Sequence, residues 1–398
     1  MLYNRLYASA CVQAGEKGKS LIARFFFAIA PFIGVVCGAN SIITVELLTP
    51  LNNASVPLID QDWKEKIKLR DEQKNVPKGI NPVNLAYPLP VNFSWTAKNA
   101  SDCIIEIAKD AEFKQIVKRH AVRNHNQVEI YNLESDQVYY WHIIASHGEN
   151  SVTSETKTFR TKNDPRLIYV PDVTEAPWPT KGFGPVNVRD FGGKTVVSGG
   201  KTRQSLAYRG TEFDNVYTLS PRGLELFRDE LKIKTDLDFR YPANVAGRTH
   251  SAMGEDINWI HIPINAYRSF TPEQNDYFRD AIRVFANKEN YPIYFHCTGG
   301  VDRTGEIAFL LNAVCDVDTE ENFLDYEISS LCFFPRKRTI PYFTAWQAKI
   351  STFGKPDDSW KTKVENYLLS IGVTAEEIAS IRTILVDKDA MTHSKQEP

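Results

Sequence analysis

Between residues 41 and 162, apolar and polar side chains alternate with a period of two, in short runs broken by turn residues. The runs 42–48, 91–95, 103–108, 127–131, 138–145 and 153–160 are predicted strands. Asn52-Asn53, Asn99-Ala100-Ser101 and Glu134-Ser135-Asp136 supply turns between them. Trp95, Tyr139 and Trp141 fall on inward-facing positions, which predicts core packing rather than a binding platform. Lys118-Arg119-His120 reads as a solvated loop or strand end. Six or seven short strands in about 120 residues predict a small all-β sandwich over residues 40–162. It is expected to act as a spacer or docking module, with its partner unknown.

After residue 163 the texture changes. Pro165, Pro171, Pro177 and Pro179 mark residues 163–180 as a linker. Leu219-Ser220-Pro221 then opens a helix with Ser at N-cap and Pro at N1, and Leu224, Phe227 and Leu231 recur at helical spacing. Residues 235–239 and 259–264 read as strands. Thr271-Pro272-Glu273-Gln274 has the pattern of a capping box, launching a helix through Phe285. A β-rich run, 291–296, precedes a Gly-rich turn and the helical run 306–314. Strands alternating with helices predict an α/β domain over residues 181–388, with a mainly parallel central sheet flanked by helices, followed by a tail at 389–398. In such sheets ligands gather at the carboxyl ends of strands, and the turn after 291–296 is such an end.

Composition narrows the class. With 398 residues, 42% hydrophobic and a formal net charge of −2, the chain reads as a globular protein of two domains, not as a general nucleic-acid binder. Six cysteines are too few for a disulfide scaffold. The charge is unevenly shared. Residues 1–39 carry +3, and within them the run 25–37 is uncharged and ends on small residues. A basic start, a short apolar stretch and small residues predict a secretory signal peptide, hence a periplasmic or secreted protein. Thirteen apolar residues fall short of the ~20 that span a bilayer, so no stable membrane span is expected. Lipid anchoring at Cys37 is the weaker reading, because Val36 stands where lipoprotein signals resemble one another in having a small residue.

The candidate chemistry lies in His296-Cys297-Thr298-Gly299-Gly300-Val301-Asp302-Arg303-Thr304-Gly305. Glycines 299 and 300 let successive N–H groups curl inward into an anion nest, and a helix beginning near Arg303 adds the positive end of its dipole. A thiol at the lip of such a nest has a depressed pKa. A guanidinium six positions on can grip two phosphoryl oxygens through its planar fork.

This segment resembles the His-Cys-x5-Arg-Thr-Gly signature of cysteine-based protein tyrosine phosphatases. The stretches Asn187-Val188-Arg189-Asp190-Phe191-Gly192-Gly193, Tyr208-Arg209-Gly210, Asp238-Phe239-Arg240 and Asp325-Tyr326-Glu327-Ile328-Ser329 are similar to successive motifs of that family's bacterial group. Val301 departs from the group's loop lysine, which weakens a lipid-phosphate reading. The β-rich segment resembles a fibronectin type III or immunoglobulin-like domain, with Tyr139 at the tyrosine corner and Trp95 as the early-strand core residue. The resemblance implies a two-step phosphate-monoester hydrolysis with Cys297 as nucleophile. Arg303 and the loop amides of Thr298, Gly299, Gly300, Val301 and Asp302 would bind the phosphate. His296 and Thr304 are supporting residues. For the general acid, Asp302 ranks ahead of Asp238, with Asp190 a further alternative; each could instead hold Arg189, Arg209 or Arg240. No metal or other cofactor is implied.

The expected substrate is a phosphotyrosine peptide. Arg336-Lys337-Arg338, if it faced the pocket, would favour an inositol polyphosphate instead. A catalytically inactive phosphate-binding adhesion protein is the rival from another class. Cys315 and Cys332 could protect Cys297 as disulfide partners, and burial as apolar fillers is the plainer expectation.

Overall fold

The computed structural model describes residues 42–61, 88–171, 184–266, 268–332 and 340–390. The signal-like segment 1–39, much of the first long loop, residues 172–183 and the basic run 336–338 lie outside the described residues.

The first half is built from two sheets. One consists of β1 (Thr44–Thr49), β3 (Val91–Lys98) and β6 (Gln127–Ile130) in the order β1-β3-β6. The other takes the order β2-β9-β7-β4-β5, from β2 (Ala54–Val56), β9 (Lys157–Thr161), β7 (Val138–His147), β4 (Asp102–Ala108) and β5 (Ile116–Arg123), with β8 (Asn150–Thr153) paired to β7. All these pairings are antiparallel except β2 with β9. Alternate side chains of β3, β4 and β7 point inward and enclose Phe93, Trp95, Ile105, Ile107, Tyr139, Trp141 and Phe159. Phe93 and Trp141 meet edge to face at 5.0 Å, and Glu134 N–H donates to the Tyr139 hydroxyl at 2.9 Å.

Two details differ from the sequence pattern. Lys118, Arg119 and His120 lie in the middle of β5, not in a loop. That strand is at the sheet edge and mostly exposed, so it lacks the apolar alternation that marks buried strands. The run 153–160 divides between β8 and β9, because β7 pairs with both in succession.

The second half centres on a five-stranded sheet in the order β10-β12-β15-β13-β14. Its strands are β10 (Arg189–Asp190), β12 (Ala207–Gly210), β15 (Ile293–His296), β13 (Thr235–Asp238) and β14 (Asn258–His261). β12, β15, β13 and β14 run parallel, and β10 closes the edge antiparallel to β12. The register aligns Gly210, His296, Asp238 and His261 across the four parallel strands. Their carboxyl ends therefore finish level, and the loops that follow meet at one rim.

Helices cover the sheet. On one face pack α2 (Asn275–Ala286), α3 (Asp302–Val314), α7 (Trp360–Ser370) and α8 (Ala375–Leu385), around Phe278, Phe285, Ile307, Leu310, Leu368 and Ile381. The short helices α4 (Thr319–Glu327) and α5 (Ser329–Cys332) follow α3 and precede α6 (Ile340–Ile350). On the other face α1 (Pro221–Glu225) and the wider turn Leu226–Glu230 bring Leu226, Phe227 and Leu231 against Tyr208, Phe213 and Tyr294. Every residue of α3 from Arg303 onward is buried, as expected for a helix with apolar side chains all round. Ser220 caps α1 as its sequence predicts, accepting from Gly223 N–H at 2.9 Å. The Thr271 box does not form. Thr271 makes no capping bond, and the Gln274 side chain instead accepts from Asn265 N–H at 2.8 Å, so a 3-10 turn precedes α2.

The two halves are joined by specific polar contacts. Arg166 donates to Asp190 and Ser205 at 2.8 Å and to the Asn132 carbonyl at 2.7 Å. Gln204 exchanges two hydrogen bonds with the Ser135 backbone.

Candidate active site

β15 ends at His296, Cys297 follows, and α3 starts at Asp302, so residues 298–301 make one tight turn at the carboxyl rim. Gly300 has φ +64°, and a Cβ there would stand 2.2 Å from the Gly210 carbonyl oxygen, so only glycine fits. The turn is held from outside through its carbonyls. Asn187 Nδ2 donates to Gly299 O at 3.1 Å and Gly300 O at 3.2 Å, and Arg209 Nη2 donates to Gly300 O at 3.0 Å. Glu212 N–H donates to Thr298 O at 3.2 Å. In a trans peptide N–H and C=O point opposite ways, so the amides of Gly300 and Val301 face away from these donors.

The residues that grip the turn are themselves locked by Asp325 of α4. Its carboxylate accepts from Arg189 Nε at 3.1 Å and Arg209 Nη1 at 2.5 Å. Burial pushes this carboxyl up, but Arg209, Lys194 and Arg189 outweigh it and hold the group ionised, well below the usual carboxylate range. Arg189 also donates to the Asn187 side chain, orienting the amide that holds Gly299 and Gly300.

Cys297 is buried, with 2% of its surface exposed. Burial raises its pKa, yet the Arg303 guanidinium and the hydroxyl and N–H of Thr304 bring the net value below that of an ordinary thiol. Arg303 donates from Nη1 to Phe239 O at 3.2 Å, and the ring of Tyr241 covers its guanidinium, centroid to Cζ 4.7 Å. Its Nε is buried and has no hydrogen-bond partner among the described residues. An oxyanion seated in the turn would satisfy that N–H.

Two buried charge clusters lie behind the turn. His296 donates to Asp236 Oδ1 at 2.9 Å. Burial disfavours the imidazolium, but the carboxylates of Asp238 and Asp236 push its pKa up to about 9. The Asp238 carboxylate accepts from Arg240 Nε at 2.9 Å and Nη2 at 2.6 Å. Burial raises its pKa, but His296 and Arg240 prevail and hold it at about 2. Arg240 is shared with Glu212 and Asp214.

The structure thus brings Cys297, Thr298, Gly299, Gly300 and Val301 together with Asp302, Arg303 and Thr304 of the first turn of α3, immediately after His296. Asp302 is half-buried at the first position of α3, within electrostatic reach of the thiol. Asp190 is not at the turn; its carboxylate accepts from Arg166 and from the N–H groups of Gly192 and Ser205. Cys315 is a free, buried thiol of the core, 1% exposed, and the Cys332 side chain lies outside the described residues. Sequence reasoning passed over Asn187 as a support of the turn, Tyr241, and Glu306. The Glu306 carboxyl is wholly buried one turn into α3, where it accepts from Ser269 Oγ. A charged residue inside the apolar run 306–314 was the available signal for it.

With this geometry in hand, comparison with known proteins is informative. The model of a tyrosine phosphatase family matches residues 183–387. A Cupriavidus necator protein, provisionally named a tyrosine-protein phosphatase, is 28% identical over 165 residues, which cover 35% of this chain and 59% of the relative. The chain therefore spans under two thirds of that relative's length. Among solved structures, the core catalytic domain of the PP-IP phosphatase Siw14 from S. cerevisiae, in complex with citrate, is 17% identical, with a TM-score of 0.27. It covers 36% of this chain and 81% of its own. A second structure of the Siw14 catalytic core is 18% identical over 34% of this chain and 76% of its own, with a TM-score of 0.25. The family match takes in more than half of the chain, from before Asn187 to just past the end of α8, and on that extent the chain belongs to the tyrosine phosphatase family.

Proposed function

We propose that this chain hydrolyses phosphate monoesters through a phosphocysteine and that its substrates are phosphotyrosine peptides. The observation that carries this reading is the pairing, on one turn, of a buried thiol of lowered pKa with an arginine whose Nε has no hydrogen-bond partner among the described residues. The Cys297 thiolate attacks phosphorus, the bond to the ester oxygen breaks, and that oxygen takes a proton from the general acid. Water then attacks the phosphocysteine and gives a proton to the carboxylate left by the general acid; the phosphorus–sulfur bond breaks, and inorganic phosphate leaves with both the thiolate and the acid restored. Arg303 and the amides of residues 298–303 stabilise the equatorial oxygens by position and charge. Thr304 supports the sulfur as leaving group in the second step, and His296 braces the turn. The route asks for no metal.

Asp302 is the general acid on this reading. It is the one of the three candidate carboxylates that lies in the segment between Cys297 and Arg303 and is only half-buried, whereas Asp190 and Asp238 are buried against Arg166 and Arg240. Asp238 and Asp190 then serve as structural anions for Arg240 and Arg166. Residues 40–162 form a fibronectin type III or immunoglobulin-like module, and residues 1–39 direct export.

The test is hydrolysis of p-nitrophenyl phosphate by the full chain without added metal. Cys297→Ser is expected to abolish turnover, and unchanged turnover in that variant overturns the cysteine mechanism. Comparing kcat/KM for phosphotyrosine peptides with that for inositol phosphates decides the substrate class.

A further inference from the structure

Tyr241 stands three residues past the end of β13, with its ring over Arg303. It is held from every side. Arg240 before it is locked by Asp238, Glu212 and Asp214, and the Arg240 carbonyl is hydrogen-bonded to His261 Nε2 at 2.8 Å. Pro242 after it confines its backbone to the extended region, observed at φ −64°, ψ 150°. Its hydroxyl donates to Asn265 Oδ1 at 3.3 Å, on the loop that leaves β14. Yet the side chain is not a core residue: Tyr241 is 37% exposed, whereas Tyr208, Tyr217, Tyr294 and Tyr367 are at most 1% exposed.

An aromatic ring fixed this firmly without full burial gives up rotamer freedom in advance of any ligand, which is how preorganised binding surfaces are built. The guanidinium carbon lies over the ring, 4.7 Å from its centroid, and the buried Nε–H is left for a phosphate oxygen, so the two contacts can coexist. Nη1 is occupied by Phe239 O, which leaves the Nε side for the anion. The part-exposed ring of Tyr241 is therefore an apolar surface beside the arginine that would grip a monoester.

We propose that Tyr241 is a specificity-determining residue, whose ring packs against the organic group of the substrate and selects aryl over alkyl phosphate monoesters. This rests on the hydrolase reading above, and it names the side chain that sets the substrate class.

The experiment measures inhibition of p-nitrophenyl phosphate hydrolysis by phenylphosphonate and by methylphosphonate, in the wild type, Tyr241→Phe and Tyr241→Leu. Neither inhibitor has a leaving group, so their ratio reports packing alone. The preference for phenylphosphonate is expected to fall about threefold to tenfold in Tyr241→Leu and to survive in Tyr241→Phe, in line with the worth of an aromatic pair. Equal weakening of both inhibitors would show that Tyr241 acts only through Arg303, and unchanged inhibition by both would show that it touches neither; both overturn the proposal. A wild type that leaves p-nitrophenyl phosphate intact overturns the hydrolase reading itself.

Discussion

His296 Nε2 lies 2.9 Å from Asp236 Oδ1, with His296 wholly buried and Asp236 2% exposed. An imidazolium with a pKa of about 9 makes this contact an ion pair at neutral pH, immediately before Cys297 in the chain. An unfolded histidine titrates near 6.5, so the stabilisation is complete below about pH 6.5 and is lost as pH rises through about 9. The difference is on the order of 3 kcal/mol. Urea midpoints for the wild type should therefore fall between pH 6.5 and 9 by more than those of His296→Gln, which stays neutral throughout. Parallel curves for the two proteins would contradict the ion pair.

Glu306 also makes the wild type lose stability as pH rises, here through burial of a carboxyl rather than through loss of an ion pair. Burial raises its pKa well above that of an ordinary carboxyl, only partly offset by Ser269, so the folded protein keeps it protonated. Below about pH 4.3 it is neutral in both states and contributes nothing; above that, ionisation favours the unfolded chain. Glu306→Gln should match the wild type near pH 4 and exceed it at pH 7, with the gap widening by about 1.4 kcal/mol per pH unit until the folded carboxyl titrates. Denaturation at pH 4.5 and 7.5 measures this, and a constant gap refutes it.

Asn187 supports the turn without touching the sulfur. Replacing it with Ala takes the donor from Gly299 O, while Gly300 O keeps Arg209, at a cost of about 1–3 kcal/mol. It should also lower kcat/KM by roughly 10-fold to 100-fold, because small displacements of reacting groups are costly. Loss of stability with full activity would mean that the turn keeps its shape without this amide.

The proton donor separates by leaving group. Asp302→Asn should slow hydrolysis of phenyl phosphate, a poor leaving group, by about 100-fold or more and affect p-nitrophenyl phosphate far less. Asp238→Asn should instead lower stability by about 3 kcal/mol through loss of a buried partner of Arg240. If Asp238→Asn alone shows the leaving-group dependence, the assignment is reversed.

Local pattern carried much of the second half. The apolar run before Cys297, the glycines after it and the apolar helix beyond are features of adjacent residues, and β15, the turn and α3 follow from them. The Ser220-Pro221 start was legible for the same reason: a cap needs only its own first turn. The Thr271 box failed because Gln274 found a partner in Asn265, nine residues away, with which no short-range pattern could compete. Strand β5 escaped notice because an edge strand buries little and so need not alternate.

What the sequence by itself determined is the order of side chains around Cys297 and Arg303, since seven consecutive residues can form an anion nest from their own backbone. What only tertiary structure decided is which charges face that nest. Asp190, Asp238 and Asp325 each stand beside an arginine or a motif in the sequence, and nothing local tells a proton donor from a clamped anion. Burial and packing make that distinction: Arg166 takes Asp190, Arg240, held also by Glu212 and Asp214, takes Asp238, and Arg189 with Arg209 reaches across to Asp325 of α4. In a low-dielectric interior such pairings set each protonation state, and they exist only once the strands have come into register.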